Sequence, residues 1–200
     1  MTAMTAPRLV TPADILPMDE YGRRRTELRR ELSALRARRR VSVGPFATFS
    51  FECRRTVWHQ IHEMLFIEKG GEAQVEGELA AYNPLIPNGS ELVATMMIEI
   101  EDAAQRALWL AKLGHVEDTV SMKFGAASVA AVPEADAERT NEQGKTSSVH
   151  FLHFTFAPAQ VAMFKAPGAE VVLAVGHPEY RHMAVLPEVV RAELAGDFAV

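Results

Sequence analysis

The chain has 200 residues, 48% of them hydrophobic, and a formal net charge of −5. That composition suits one globular domain and excludes a disordered chain, and the net charge gives no global attraction to nucleic acid or anionic lipid. No apolar run reaches the roughly eighteen residues of a membrane-spanning helix. The single cysteine, Cys53, excludes an intrachain disulfide and a Cys-based zinc or iron–sulfur centre within one chain. The N-terminal stretch lacks a basic segment followed by a long apolar core, so it does not read as a signal peptide, and the expected compartment is the cytoplasm.

Residues 1–18 contain three prolines and read as an irregular arm. Residues 19–200 read as a single domain. Residues 19–40 predict an arginine-rich helix. Tyr21, Leu28, Leu32 and Leu35 form a thin apolar stripe, and nine arginines fall between Arg23 and Arg40. Residues 41–52 read as extended, with a break at Gly44-Pro45. A helix over 54–69 stops at Gly70-Gly71, and a second over 72–82 carries Val75, Leu79 and Tyr82 at helical spacing. Residues 83–89 form a proline-stiffened loop.

Residues 92–101 alternate as a strand: Leu92, Ala94, Met96, Ile98 and Ile100 face one way, Val93, Thr95 and Met97 the other. A helix over 103–113 follows. Residues 116–124 read as a second strand, turning at 125–127 into a third over 128–132. Residues 134–145 are polar and predict a loop. A strongly β stretch over 148–156, a short helix over 158–165 and a buried strand over 171–175 come next. A helix over 187–195 starts on proline at its first position. Strands in hairpin-like pairs predict an α+β fold, with a mainly antiparallel sheet flanked by helices.

The richest chemistry lies in the helix over 54–69. Val57, Ile61, Met64 and Leu65 share one face, while His59, His62, Glu63 and Phe66 cluster opposite. Two imidazoles beside a carboxylate suit metal ligation or proton transfer. The candidate metal ligands are His59, His62 and Glu63, with His150 or His177 as the distant partner. Iron or zinc fits such nitrogen and oxygen donors, and haem is a weaker candidate. The spacing is His-x-x-His-Glu, not the His-Glu-x-x-His of zinc proteases. The plainer reading is a packed helix face whose histidines bond to carboxylates.

Strand parity places His150 and His153 on opposite faces, so at most one joins such a site. His177 ends a buried strand, and with His182 it flanks a short turn. Glu68 projects onto the apolar face of its helix, where an unpaired charge is costly. It predicts either an arginine salt bridge or, together with Glu72, a general base. Gly144-Lys145-Thr146 imitates a phosphate loop, but Arg139 stands where that motif needs glycine. The arginine helix interleaves glutamates within an acidic chain and points to protein contacts, including self-association into a homo-oligomer, rather than nucleic acid.

Several segments resemble one bacterial family, known as domain of unknown function 3501. They are Arg39-Arg40-Val41, Val43-Gly44-Pro45, residues 58–71, residues 81–87, residues 91–97, residues 144–151 and Gly176-His177-Pro178. The resemblance spans nearly the whole chain and carries no assigned activity. The family's genes look like neighbours of rubrerythrin-type and iron–sulfur oxidoreductase genes, which implies a role in redox or peroxide stress. In the family pattern position 59 is often tyrosine, which makes His62 the stronger ligand candidate.

Three functions follow as expectations. One is a metal- or haem-linked redox protein using His62, Glu63 and His150 or His177. Another is an accessory protein that docks an iron–sulfur or di-iron partner through the arginine helix. The third is a small-molecule enzyme with Glu68 or Glu72 as base.

Overall fold

Alternation along the strands gives the sheets two different faces, and that difference organises the molecule. The computed structural model describes residues 9–134, 140–141 and 144–199. Helix α1 spans Met18–Ala37, and the chain then enters a hairpin of β1 (Arg40–Val43) and β2 (Ala47–Phe51). Helices α2 (Arg54–Glu68) and α3 (Glu72–Tyr82) precede β3 (Glu91–Ile98) and α4 (Ala103–Lys112). Next come β4 (Val120–Phe124), β5 (Ala127–Ala130), β6 (Val132–Pro133) and β7 (Val149–Thr155). Helix α5 (Pro158–Lys165), β8 (Val172–His177), β9 (Tyr180–Val185) and α6 (Glu188–Ala195) complete the fold.

The fold is α+β, with every paired strand antiparallel. One sheet has the order β1-β2-β3-β7-β6, the other β5-β4-β8-β9. The inward residues Phe49, Met96 and Leu152 of the first join Met122, Leu173 and Val175 of the second in the main core. A smaller core lies on the outer face of the first sheet. There Val93 meets Val57, Ile61 and Leu65 of α2, with Leu79 of α3. Further along that face, the register sets Ser50 beside Thr95 and Phe151, and Thr48 beside Met97 and Val149. This row positions the site described below.

Several expectations are corrected. The first helix stops at Ala37, and Arg40 already belongs to β1. The extended stretch is a hairpin whose turn is gripped from the other sheet. The Tyr180 hydroxyl donates to the Val43 carbonyl at 2.6 Å and accepts from the Phe46 and Ala47 amides. Gly44 turns there at φ +70, and a Cβ would meet that hydroxyl at 2.6 Å. Residues 116–119 form a 3₁₀ turn rather than a strand. The stretch over 128–132 is split: β5 pairs in one sheet and β6 in the other. Strand β9 replaces the turn expected around His182 (an edge strand with mostly exposed side chains shows no alternation). Pro187 is the N-cap of α6, one residue before the position expected for it. Most of the polar loop over 134–145 falls outside the described residues. No helix among the described residues is long and apolar enough to cross a membrane.

Candidate functional site

Helix α2 is packed on two sides, by the sheet and by α1 with the segment preceding it. Its supposedly polar face is therefore interior, and His59 and His62 are both buried. Gly22 of α1 allows the close approach, since a Cβ there would meet the Phe66 ring at 2.9 Å. The Leu16 amide donates to His62 Nε2 at 3.0 Å, so the ring proton sits on Nδ1 and is donated to the Trp58 carbonyl at 2.7 Å. The ring also lies 4.0 Å from the Trp58 ring centroid. Both nitrogens of His62 are thus committed to backbone groups, not to the carboxylates that the packed-face reading expected.

Glu63 accepts two hydrogen bonds from Arg25, each 2.8 Å, and one from the Tyr21 hydroxyl at 2.6 Å. The Arg25 guanidinium, ahead of Tyr21, holds the Glu63 carboxyl down to about 2. Burial, reinforced by Glu63, pushes the Tyr21 phenol up. His59 Nε2 lies 3.4 Å from the Tyr21 oxygen, while its Nδ1 is buried with no hydrogen-bond partner. Burial above all lowers His59 to about 4 and also lowers His62.

These shifts predict acid sensitivity. Both rings hold a proton less readily in the folded chain than at their ordinary 6.5, so the unfolded chain protonates first. Stability is complete above pH 6.5 and falls as pH drops toward 4, by up to about 1.4 kcal/mol per unit for each ring that stays neutral. Glu63 keeps its contribution down to its ordinary 4.5 and loses it below. Urea unfolding at pH 7.5, 6.0 and 5.0 should show midpoints that decline steadily. A flat profile would show that the buried rings are not neutral.

The other candidates do not join α2. His150 pairs with Met96 on the inward face of the first sheet, on the opposite side from α2. Its Nδ1 faces Glu117 Oε2 at 3.5 Å, and its Nε2 bonds the Ser147 carbonyl at 2.9 Å. His177 ends β8 in the second sheet and bonds the Gly114 carbonyl at 3.2 Å. Among the described residues no three His, Cys, Asp or Glu side chains gather as a metal-holding group. Glu68 is exposed and accepts from Gln74 at 2.6 Å instead of meeting an arginine on an apolar face. Glu72 is exposed at the rim of a cavity of about 590 Å³ whose walls include Ile15, Leu16, Leu65 and Val75.

A different cleft combines polar groups with an apolar floor. It measures about 340 Å³ and lies over the outer row of the first sheet. Val57, Leu85, Met97, Val149 and Phe151 supply apolar walls, and Ser50, Gln60, Tyr82 and Thr95 supply polar ones. Glu52 stands inside, accepting from the Thr95 hydroxyl at 2.7 Å and from the Thr56 hydroxyl. Arg36 and Arg40 line both this cleft and a neighbouring recess of about 440 Å³.

The family model described as "Protein of unknown function (DUF3501)" matches residues 9–198. The chain belongs to the DUF3501 family. A solved structure of a protein of unknown function from Burkholderia pseudomallei is similar to this DUF3501 protein, with 39% identity and a TM-score of 0.88. The match covers 95% of this chain and 99% of that one. Among curated proteins none matches. Sequence reasoning on this DUF3501 chain missed the cleft, although one signal was present. The alternation of β3 set Thr95 and Met97 opposite the core residues, and a polar residue on a covered face is a site marker.

Proposed function

We propose that this DUF3501 protein binds a small amphipathic organic anion in the cleft over the outer face of its five-stranded sheet. One observation carries the reading. Arg36 and Arg40 line a cavity together with apolar Met97, Val149 and Phe151 and polar Gln60, Ser50 and Tyr82. Ligand pockets are typically concave and mostly apolar, with a few placed polar groups that set orientation. An apolar body would displace water from the floor, and the guanidiniums would hold a negative head. Glu52, oriented by two threonine hydroxyls, would meet a donor on the body and discriminate against ligands lacking one.

The fluorescent probe 1-anilinonaphthalene-8-sulfonate has this chemistry. It should bind saturably at one site in the native protein. Met97→Trp fills the floor and should weaken binding about tenfold or more, a loss of about 1.4 kcal/mol, while leaving the thermal midpoint in place. Unchanged affinity in that variant would remove the cleft as the binding place.

A further inference from the structure

We infer that the recess beside the cleft is a receptor for a phosphate-class oxyanion, formed by Arg29, Ser33, Arg36, Arg40 and His59. The inference names the head group of the cleft's ligand, and it rests on the cleft reading for the ligand's body only.

Most arginines of this acidic chain's first helix and its extension have a carboxylate. Arg23 meets Asp19, Arg24 meets Glu20, Arg25 meets Glu63, and Arg38 meets Glu193. Arg39 is likewise paired with Asp197. Arg29 and Arg36 make no ion pair among the described residues, and both line the recess. Residues 29, 33 and 36 fall on one face of α1 by helical spacing, so the arrangement is built into the helix. Arg40 arrives from β1. Its pairing with Glu99 is half-exposed on both sides, which makes that pair weak and open to competition. No acidic residue lines the recess. Two guanidiniums without a carboxylate partner and a third whose pairing is weak thus line one recess, an arrangement that favours an anion.

His59 adds a chemical preference. This residue lines the recess and is 5% exposed. Tyr21 gives its only hydroxyl proton to Glu63, so the Nε2 of His59 carries the proton that faces the Tyr21 oxygen. Nδ1 is then a bare acceptor, and it is the buried atom without a partner. Arg29 and Arg36 further disfavour a proton there. An anion that suits this ring brings its own O–H. A phosphate or phosphate monoester does so in its monoanionic form, whereas sulfate does not.

Calorimetric titration of the full chain at pH 5.5, where phosphate and its monoesters are mainly monoanions, and at constant ionic strength would compare inorganic phosphate with sulfate. Phosphate should bind at least tenfold more tightly. In the double variant Arg29→Ala with Arg36→Ala, which changes only exposed or recess-facing helix positions, phosphate affinity should fall at least tenfold. Equal binding of the two anions, or unchanged phosphate binding in the double variant, would overturn the inference. 1-Naphthyl phosphate separates the two readings. It should bind tighter than inorganic phosphate, and Met97→Trp should remove that gain alone. If naphthyl phosphate gains nothing while phosphate still depends on Arg29 and Arg36, the recess stands and the cleft fails.

Discussion

His62→Ala is expected to lower the stability of the protein by about 2–4 kcal/mol, the range for emptying a fully buried site and breaking its hydrogen bonds. The ring is 0% exposed. Its loss leaves the Leu16 amide without its acceptor and removes the contact with Trp58, whose own indole N–H holds the Asp14 carbonyl at 2.9 Å. The segment over 9–17 is tied down by the same neighbourhood, including Arg54 to Asp14 at 2.8 Å. Urea unfolding would measure the loss, and limited proteolysis should cut within 9–17 faster in the variant. A loss below about 0.5 kcal/mol, the size of an ordinary surface change, would show that the ring does not hold the segment.

Arg39→Met should cost still more, about 3–5 kcal/mol, the range for breaking a buried ion pair by removing one partner. Arg39 is 2% exposed. It donates to the Phe51 and Glu52 carbonyls, each at 3.0 Å, and pairs with Asp197 and Glu193. One side chain thereby joins the end of β2, the start of α2 and the C-terminal segment. Methionine matches the length and offers no donor, so both carbonyls and two carboxylates lose their shared partner. The urea midpoint should drop while the slope is kept, as for a change in stability alone. A cost under about 1 kcal/mol would mean that water replaces the guanidinium at no penalty. Glu52 lines the cleft, so the variant should also weaken binding of the naphthalenesulfonate probe.

Local signals were read well where a single element decides its own state. Helix α3 begins and ends where Gly71 and the Asn83-Pro84 pair predict, and α5 starts at Pro158 as a helix with proline in its first turn should. The parity of His150 and His153 holds, with the first inward and the second beside Glu91 and Glu134 at the outer face. The two faces of β3 also follow from its alternation.

The histidine face of α2 shows where such reasoning stops. A helix wheel separates two faces but cannot say how many of them are covered. Here α1 and the segment before it cover the second face, and what looked like a polar site became a set of buried groups, all but His59 Nδ1 spent on hydrogen bonds within the fold. Glu68 misled in the opposite direction. It shares the apolar face by angle, but it lies in the last turn, beyond the end of the packing.

By itself the sequence determined the α+β class, most element positions and the inward residues of the strands, because these depend on period and on residues within a few positions of one another. Only the tertiary structure decided which titratable groups are spent on packing, and which are left facing a cavity. Arg36, Ser50, Tyr82, Thr95 and Phe151 are far apart along the chain and carry no shared motif. They meet because antiparallel register and the seating of α2 on the sheet bring them together. Register and seating are set by the summed burial of two cores, a property of the folded whole that no local pattern encodes.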